Sequence, residues 1–387
     1  MLTTQPGYGH FRPLLPLAHA LVAAGHEVRV ATSASFAPVV EREGFRAEAA
    51  GLDWLHGVES TIPPELRPPP EADTLATFFA HKFVRMTAGR LATDLVALAD
   101  RWPPDLIIRE TTEYGGSLAA QVLGVPYAAL QVATPTLMSD AVLAEVAIAL
   151  DEIRPRLGLP SDPGLGAIRD ELVICFAPLA LHDPTFPLPA GLQSFHPGAP
   201  ASSGVLPGEL VEFGGERPLV YATLGTVFNN PEYNLPFFPS IEEGLSAAPL
   251  DLLMVVGPNV DPASLGTRRS GLLVLSYVPQ RAVLERCAVV ICHGGYGTLL
   301  DAVDAAIPLL VVPFGADQHD NAAAVQRLGI GIVLEERSLS PQAVRQAVDS
   351  LLDSGSPHRQ RIQTLSEEWR ALPGPAQAVA ALVALTG

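Results

Sequence analysis

HGGYGTLLDAVDAAIPLLVVPFGADQHDN, residues 293–321, follows directly on the apolar run AVVIC at 288–292. The pattern predicts a buried strand over Ala288 to Cys292, a glycine turn from His293 to Thr298, and a helix from Leu299 to Ala305. A second buried strand, Leu309 to Val312, then ends in a polar loop from Gly315 to Asn321. Strand, glycine turn and helix together make an anion seat. Glycines admit close backbone approach, and a helix N-terminus offers free N–H groups and a partial positive charge. A diphosphate is the expected occupant. The turn matches neither GxGxxG nor GxxxxGK[ST], so the dinucleotide fingerprint and the P-loop both fail. His293, at its first position, stands where a phosphate oxygen could be contacted.

Working outward, the same alternation of strand and helix fills the chain. Before the turn, Leu219–Thr223, Leu252–Val256 and Leu272–Ser276 read as strands, and after it Ile332–Leu334 does. The first half repeats the scheme. A short strand, Leu2–Thr4, leads into a turn, Gln5–His10, and a helix, Pro13–Ala24. Further strands are expected at Glu27–Thr32, Phe45–Ala49, Asp105–Arg109, Tyr127–Gln131 and Leu172–Phe176. Leu75–Arg101 reads as one long helix, and Leu52–Asp73 as an irregular, proline-bearing loop. Pro184–Pro218 is rich in Pro, Gly and Ser and lacks periodicity, which marks a break. The expectation is an α/β fold of two doubly wound parallel-sheet halves, 1–205 and 206–374. Ligands in such sheets bind outside the carboxyl ends of the strands, and two facing halves create a cleft.

A chain of 387 residues suits two domains at roughly 100–200 residues each, and a hydrophobic content of 48% with 17% charged residues fits buried sheets. The net charge of −17 argues against nucleic acid and anionic membrane as partners. Cys175, Cys287 and Cys292 lie in or beside apolar runs and read as core residues of a reducing compartment. The first ten residues lack a signal-peptide pattern, and no run approaches the roughly 20 apolar residues that span a bilayer. A soluble, cytoplasmic protein without stable membrane insertion is expected, monomer or homodimer.

HGGYGT followed by PLLVVPFGADQHDN resembles the donor-sugar signature of the GT-B glycosyltransferases that act on natural products, including the bacterial enzymes of antibiotic and macrolide biosynthesis. The resemblance implies two Rossmann-like domains. The first, 1–205, would bind the acceptor and receive the last helix, 375–387. The second, 206–374, would bind the nucleotide sugar. It also implies that His10, in GYGHFRP after the first strand, is the general base. A neutral imidazole near pH 7 has basicity matched to that task, worth roughly 10²–10⁴-fold. Its orienting carboxylate would be Glu110, with Glu113 as the other candidate.

For the donor, the resemblance implies contacts from Thr226, Tyr277, Val278, Gln280, His293, Gly295, Gly297, Thr298 and Asp301, with Asp317 and Gln318 on the sugar hydroxyls. Tyr277, in LSYVPQ, stands where plant relatives often carry Trp, and Val278 offers backbone contact to the base. Asp301 replaces a commoner Glu on the ribose. Asn321 is expected to cap a helix over Ala322–Leu328. Phe78, Phe79, Met138 and the loop 52–73 are candidates for an apolar acceptor surface. The expected activity is inverting, metal-independent transfer of a hexose or deoxysugar to a small hydrophobic aglycone. It needs no cofactor; the donor substrate would be a dTDP-sugar or a UDP-sugar. The alternatives are a sugar-nucleotide epimerase of the same fold, and a non-catalytic nucleotide-sugar-binding auxiliary protein.

Overall fold

The computed structural model of the protein describes residues 1–69, 74–134, 139–169, 171–199, 205–211, 213–225, 236–257, 260–265 and 270–387. Thr226 and Met138 lie outside them. The chain divides into two compact units. One comprises Met1–Phe176, Thr185–Ala199 and Pro373–Gly387; the other comprises Ala177–Pro184 and Pro200–Leu372.

The first unit is built on a parallel sheet of β1 (Leu2–Thr3), β2 (Arg29–Thr32), β3 (Arg46–Ala49), β4 (Ile107–Glu110), β5 (Tyr127–Leu130), β6 (Leu172–Cys175) and β7 (Leu192–Ser194). Their order is β3-β2-β1-β4-β5-β6-β7. Successive side chains leave a strand on opposite faces, so each strand feeds two apolar layers. One layer joins Ile107 to Leu91, Leu95, Leu118 and Leu150. The other joins Leu2, Val30, Ile108 and Leu130 to Leu14, Leu17 and Leu21, with Ala378, Val379 and Leu382 of the last helix, Pro375–Val383. That helix packs along Leu15–Ala23.

The second unit repeats the plan with β8 (Leu219–Thr223), β9 (Asp251–Val255), β10 (Leu272–Leu275), β11 (Cys287–Cys292), β12 (Leu309–Val311) and β13 (Gly331–Val333). The order is β10-β9-β8-β11-β12-β13, again parallel. Val220, Leu252, Ile291 and Leu310 face Ile241, Val344 and Val348. Tyr221, Leu253, Val290 and Leu309 face Val303, Val325 and Trp369.

Each sheet has one point where the strand order reverses: between β1 and β4, and between β8 and β11. Chain leaving two adjacent strands there diverges in opposite directions and opens a crevice at their carboxyl ends. His10 follows β1, Glu110 ends β4 with Glu113 just beyond it, and His293 follows β11; Tyr277, Val278 and Gln280 follow β10, and Asp317 and Gln318 follow β12.

Several elements differ from expectation. The turn Gln5–His10 winds into a short helix at Tyr8–Phe11 that contains His10. The helix after β11 begins at Tyr296, three residues earlier than expected, leaving His293, Gly294 and Gly295 as the turn. β4 ends on Glu110, one residue later than the periodicity suggests. β7 occupies part of the proline-rich break; three residues are too few to show a period. The long helix is interrupted: Leu75–Ala80 gives way to a wide turn at His81–Arg85 before Ala88–Ala99. Such wide turns sit often at functional sites, and this one carries Lys82 and Phe83 inward.

Candidate active site

At the first switch point, the helical turn after β1 brings His10 over the end of β4. Nδ1 of His10 lies 3.0 Å from Oε1 of Glu110. Glu110 is wholly buried. Its carboxylate also accepts from the Thr112 amide at 2.6 Å and the Thr112 hydroxyl at 2.7 Å. Burial alone pushes this carboxyl up, yet His10 and the Thr112 bonds outweigh it and hold Glu110 below the usual range. The carboxylate is therefore ionised at neutral pH, and Nδ1 of His10 carries a proton toward it. Nε2 is left as the basic nitrogen.

Glu113 has a different job. Its oxygens accept from the Gly115 and Gly116 amides and the Thr3 hydroxyl, satisfying the first free amides of the helix Gly115–Leu123. Burial raises its pKa to about 7. Of the two candidate carboxylates, Glu110 is the one beside His10.

At the second switch point, Gly294 takes φ +86° and turns the chain from β11 into the helix Tyr296–Asp304. Gly295 is its N-cap residue. The His293 ring is walled by glycines. A Cβ on Gly295 would stand 2.5 Å from Nε2 of His293, and one on Gly225 would stand 2.7 Å from Cε1. Burial lowers the His293 pKa to about 4, so the ring is neutral at pH 7. Gly297 is exposed with open space where a Cβ would be. The helix N-terminus therefore presents its amides to whatever occupies the crevice.

The loop after β12 is tied to that turn by Asn321. Its Nδ2 donates to the Gly294 carbonyl at 2.9 Å and to Oδ2 of Asp317 at 3.1 Å. Asn321 is not the helix cap; the helix runs Gln318–Leu328 and Asp317 precedes it. Asp317 and Gln318 are thereby held beside the glycine turn.

The family described as "Erythromycin biosynthesis protein CIII-like, C-terminal domain" matches residues 252–385. The L-demethylnoviosyl transferase of Streptomyces niveus is 30% identical over 99% of this chain and 97% of its own. The 10-deoxymethynolide desosaminyltransferase of Streptomyces venezuelae is also 30% identical, over 95% and 93%. The crystal structure of the glycosyltransferase VinC in complex with dTDP superposes with a TM-score of 0.81 at 25% identity, covering 100% of this chain and 98% of that one.

The chain belongs to the natural-product glycosyltransferases.

In this glycosyltransferase the remaining candidates fall into place unevenly. Gln280 starts the helix Gln280–Leu284. Its Oε1 accepts from the Tyr221 hydroxyl at 3.2 Å and the Thr298 hydroxyl at 3.4 Å, while its Nε2 donates to Asp301 at 2.7 Å. Gln280, Thr298 and Asp301 are thus one cluster. Tyr277 is 63% exposed and Val278 buried. Gln318 is buried, and its Oε1 accepts from the amides of Phe314 and Gly315, so its carboxamide shapes its own loop. Phe79 is core rather than acceptor surface, whereas Phe78 is exposed.

One neighbour went unsuspected. His56, in the irregular loop, places Nδ1 2.8 Å from Nε2 of His10. The Pro6 carbonyl accepts its backbone amide at 2.9 Å, and its ring packs edge-on to His10, Trp54 and Phe83. The only sequence signal was a histidine in a long loop.

Proposed function

We propose that this glycosyltransferase moves a sugar from a thymidine-diphosphate donor to a hydroxyl of a small hydrophobic natural-product acceptor, with inversion at the anomeric carbon. The observation that carries the reading is the buried Glu110 carboxylate 3.0 Å from Nδ1 of His10, which leaves Nε2 as base. The acceptor proton moves toward that basic nitrogen as the acceptor oxygen attacks the anomeric carbon, and the bond to the diphosphate oxygen breaks with its electron pair. Glu110 stabilises the imidazolium that forms. Thymidine is favoured as the base because a relative of matching fold, VinC, was crystallised with dTDP.

The departing diphosphate is stabilised by the amides at the start of Tyr296–Asp304 and by the neutral His293. These preorganised dipoles do the work a metal ion performs in other transferases. Asp317, held next to the turn by Asn321, is the candidate for the sugar hydroxyls. The exposed Phe78 suits an apolar acceptor, while Trp54 and Phe83 are core residues that pack behind His10 and His56. The relatives matched are sugar transferases, which favours transfer over epimerisation or mere binding.

A test pairs a panel of dTDP- and UDP-sugars in thermal shift with acceptor-dependent nucleotide release. The expected result is a larger shift with a dTDP-sugar, release that requires a hydrophobic acceptor, and a rate unchanged by EDTA. Release without acceptor but with sugar epimerisation, or loss of activity with EDTA restored by magnesium, would reject it.

A further inference from the structure

The Nε2 of His10 that the mechanism needs is already engaged. Two imidazole nitrogens 2.8 Å apart cannot face each other lone pair to lone pair, so one proton lies between them. His10 keeps its own proton on Nδ1, opposite Glu110. While His10 is neutral, the shared proton therefore sits on Nδ1 of His56. That leaves Nε2 of His56 bare on a half-buried ring, whose side-chain hydrogen bond among the described residues is the one from Nδ1 to His10.

We propose that His56 is a further catalytic residue and that the acceptor hydroxyl delivers its proton to Nε2 of His56, not directly to His10. In the same event Nδ1–H of His56 passes its proton to Nε2 of His10. The acceptor oxygen bonds to the anomeric carbon, and the diphosphate leaves with the electron pair. His56 takes one proton and gives one, so it ends neutral with its tautomer exchanged. The positive charge appears on His10, against the Glu110 carboxylate. The inference rests on the sugar-transfer reading above.

The surroundings fit a ring that works without becoming charged. Burial first, then the nearby His10 and Lys82, together hold the His56 pKa well below the ordinary value. Lys82 is itself paired with Glu59 at 2.7 Å and lies over the Trp54 ring. The charged and titratable groups around the pair are thus His10, Glu110, Lys82 and Glu59. The position is also built. The Pro6 carbonyl holds the His56 amide, and a Cβ on Gly7 would come 3.0 Å from that of His56, so the two loops meet at a glycine.

Nitrogen-15 spectra of histidine-labelled full-length protein at pH 7.5 test the tautomer without any turnover. The expected pattern is protonated Nδ1 and bare Nε2 on both rings, with His56 reverting to the Nε2–H form in His10→Ala. Kinetics with donor and hydrophobic acceptor test the relay. His56→Phe keeps the aromatic packing and should lower kcat at least about tenfold with donor KM within about twofold, and His56→Ala should recover part of its rate with added imidazole. A His56 Nε2–H tautomer in the wild type, or wild-type kcat in His56→Phe, overturns the relay and leaves His10 as the sole base. If His56→Phe does not fold, the wild-type tautomer decides. Wild-type turnover in His10→Ala would instead overturn the sugar-transfer mechanism itself, whatever His56 does.

Discussion

Glu110 closes on Nδ1 of His10 at 3.0 Å from the last position of β4, with no exposed surface of its own. The strand-order reversal between β1 and β4 makes this meeting possible, because the chain leaving each strand starts at the same edge of the sheet. Glu110→Gln keeps the shape but offers Nδ1 either a donor or a weaker acceptor. The His10 tautomer is then no longer enforced. Turnover should fall about 10²-fold or more, with donor affinity by calorimetry within twofold. Unchanged turnover would remove the carboxylate from catalysis.

His10→Ala removes the proposed base while leaving the second sheet and its glycine turn untouched. Donor affinity should stay near that of the wild type, and turnover should drop at least about a hundredfold. Calorimetry with the donor, run beside steady-state rates, separates the two effects. A parallel loss of donor binding would show that the base loop also shapes the donor site.

The glycine walls of His293 give a packing prediction. In Gly295→Ala the new methyl would lie 2.5 Å from Nε2 of His293, so the ring or the helix start must move. Overpacking of this kind costs about 1–3 kcal/mol, read as a lower midpoint in chemical denaturation. Donor affinity should fall as well, because the displaced amides are those proposed to hold the diphosphate. Gly297→Ala is the control. Its Cβ meets nothing within 4 Å, so stability should hold or rise by up to about 1 kcal/mol, alanine favouring the helix over glycine.

Much of this was legible beforehand, and the exceptions have physical causes. The 293–321 stretch declared itself because a glycine turn between two buried parallel strands leaves apolar runs on either side that no periodicity of a surface helix imitates. His10 and Glu110 were legible only in company, since neither loop has a pattern of its own. His56 was not legible. It lies 46 residues from His10 in an irregular loop, and the backbone bond to Pro6 and the ring packing that bring them together leave no local pattern. The wide turn at His81–Arg85 escaped notice because no glycine or proline marks it. Asn321 was misassigned as a cap because a residue that ends one loop and begins a helix looks the same in sequence whether it caps or braces.

Burial of neutral His293 has a consequence for acid stability. Its folded pKa, about 4, lies below the unfolded value. The contribution is fully present above about pH 6.5, and it drains as pH falls toward 4, where the unfolded chain binds the proton first. The effect is on the order of 3 kcal/mol at most. His293→Gln should flatten the fall in stability between pH 6.5 and 4, measured by urea denaturation at each pH. A slope unchanged by the substitution would assign the acid sensitivity to other groups.

Asn321 joins the two halves of the donor site. Its carboxamide donates to the Gly294 carbonyl at 2.9 Å and to Asp317 at 3.1 Å. Asn321→Ala leaves the carbonyl of a buried, left-handed glycine without that donor, a loss of about 1–3 kcal/mol. It also frees Asp317, the residue assigned to the sugar. The expected signature is therefore asymmetric: affinity for the free nucleoside diphosphate drops severalfold, and discrimination between donor sugars differing at one hydroxyl drops further. Asn321→Asp separates the two ties. It can accept but not donate, and it places a second carboxylate against Asp317, so it should be worse than alanine in both readouts. If Asn321→Ala alters stability alone and leaves sugar selectivity intact, Asp317 does not read the donor sugar.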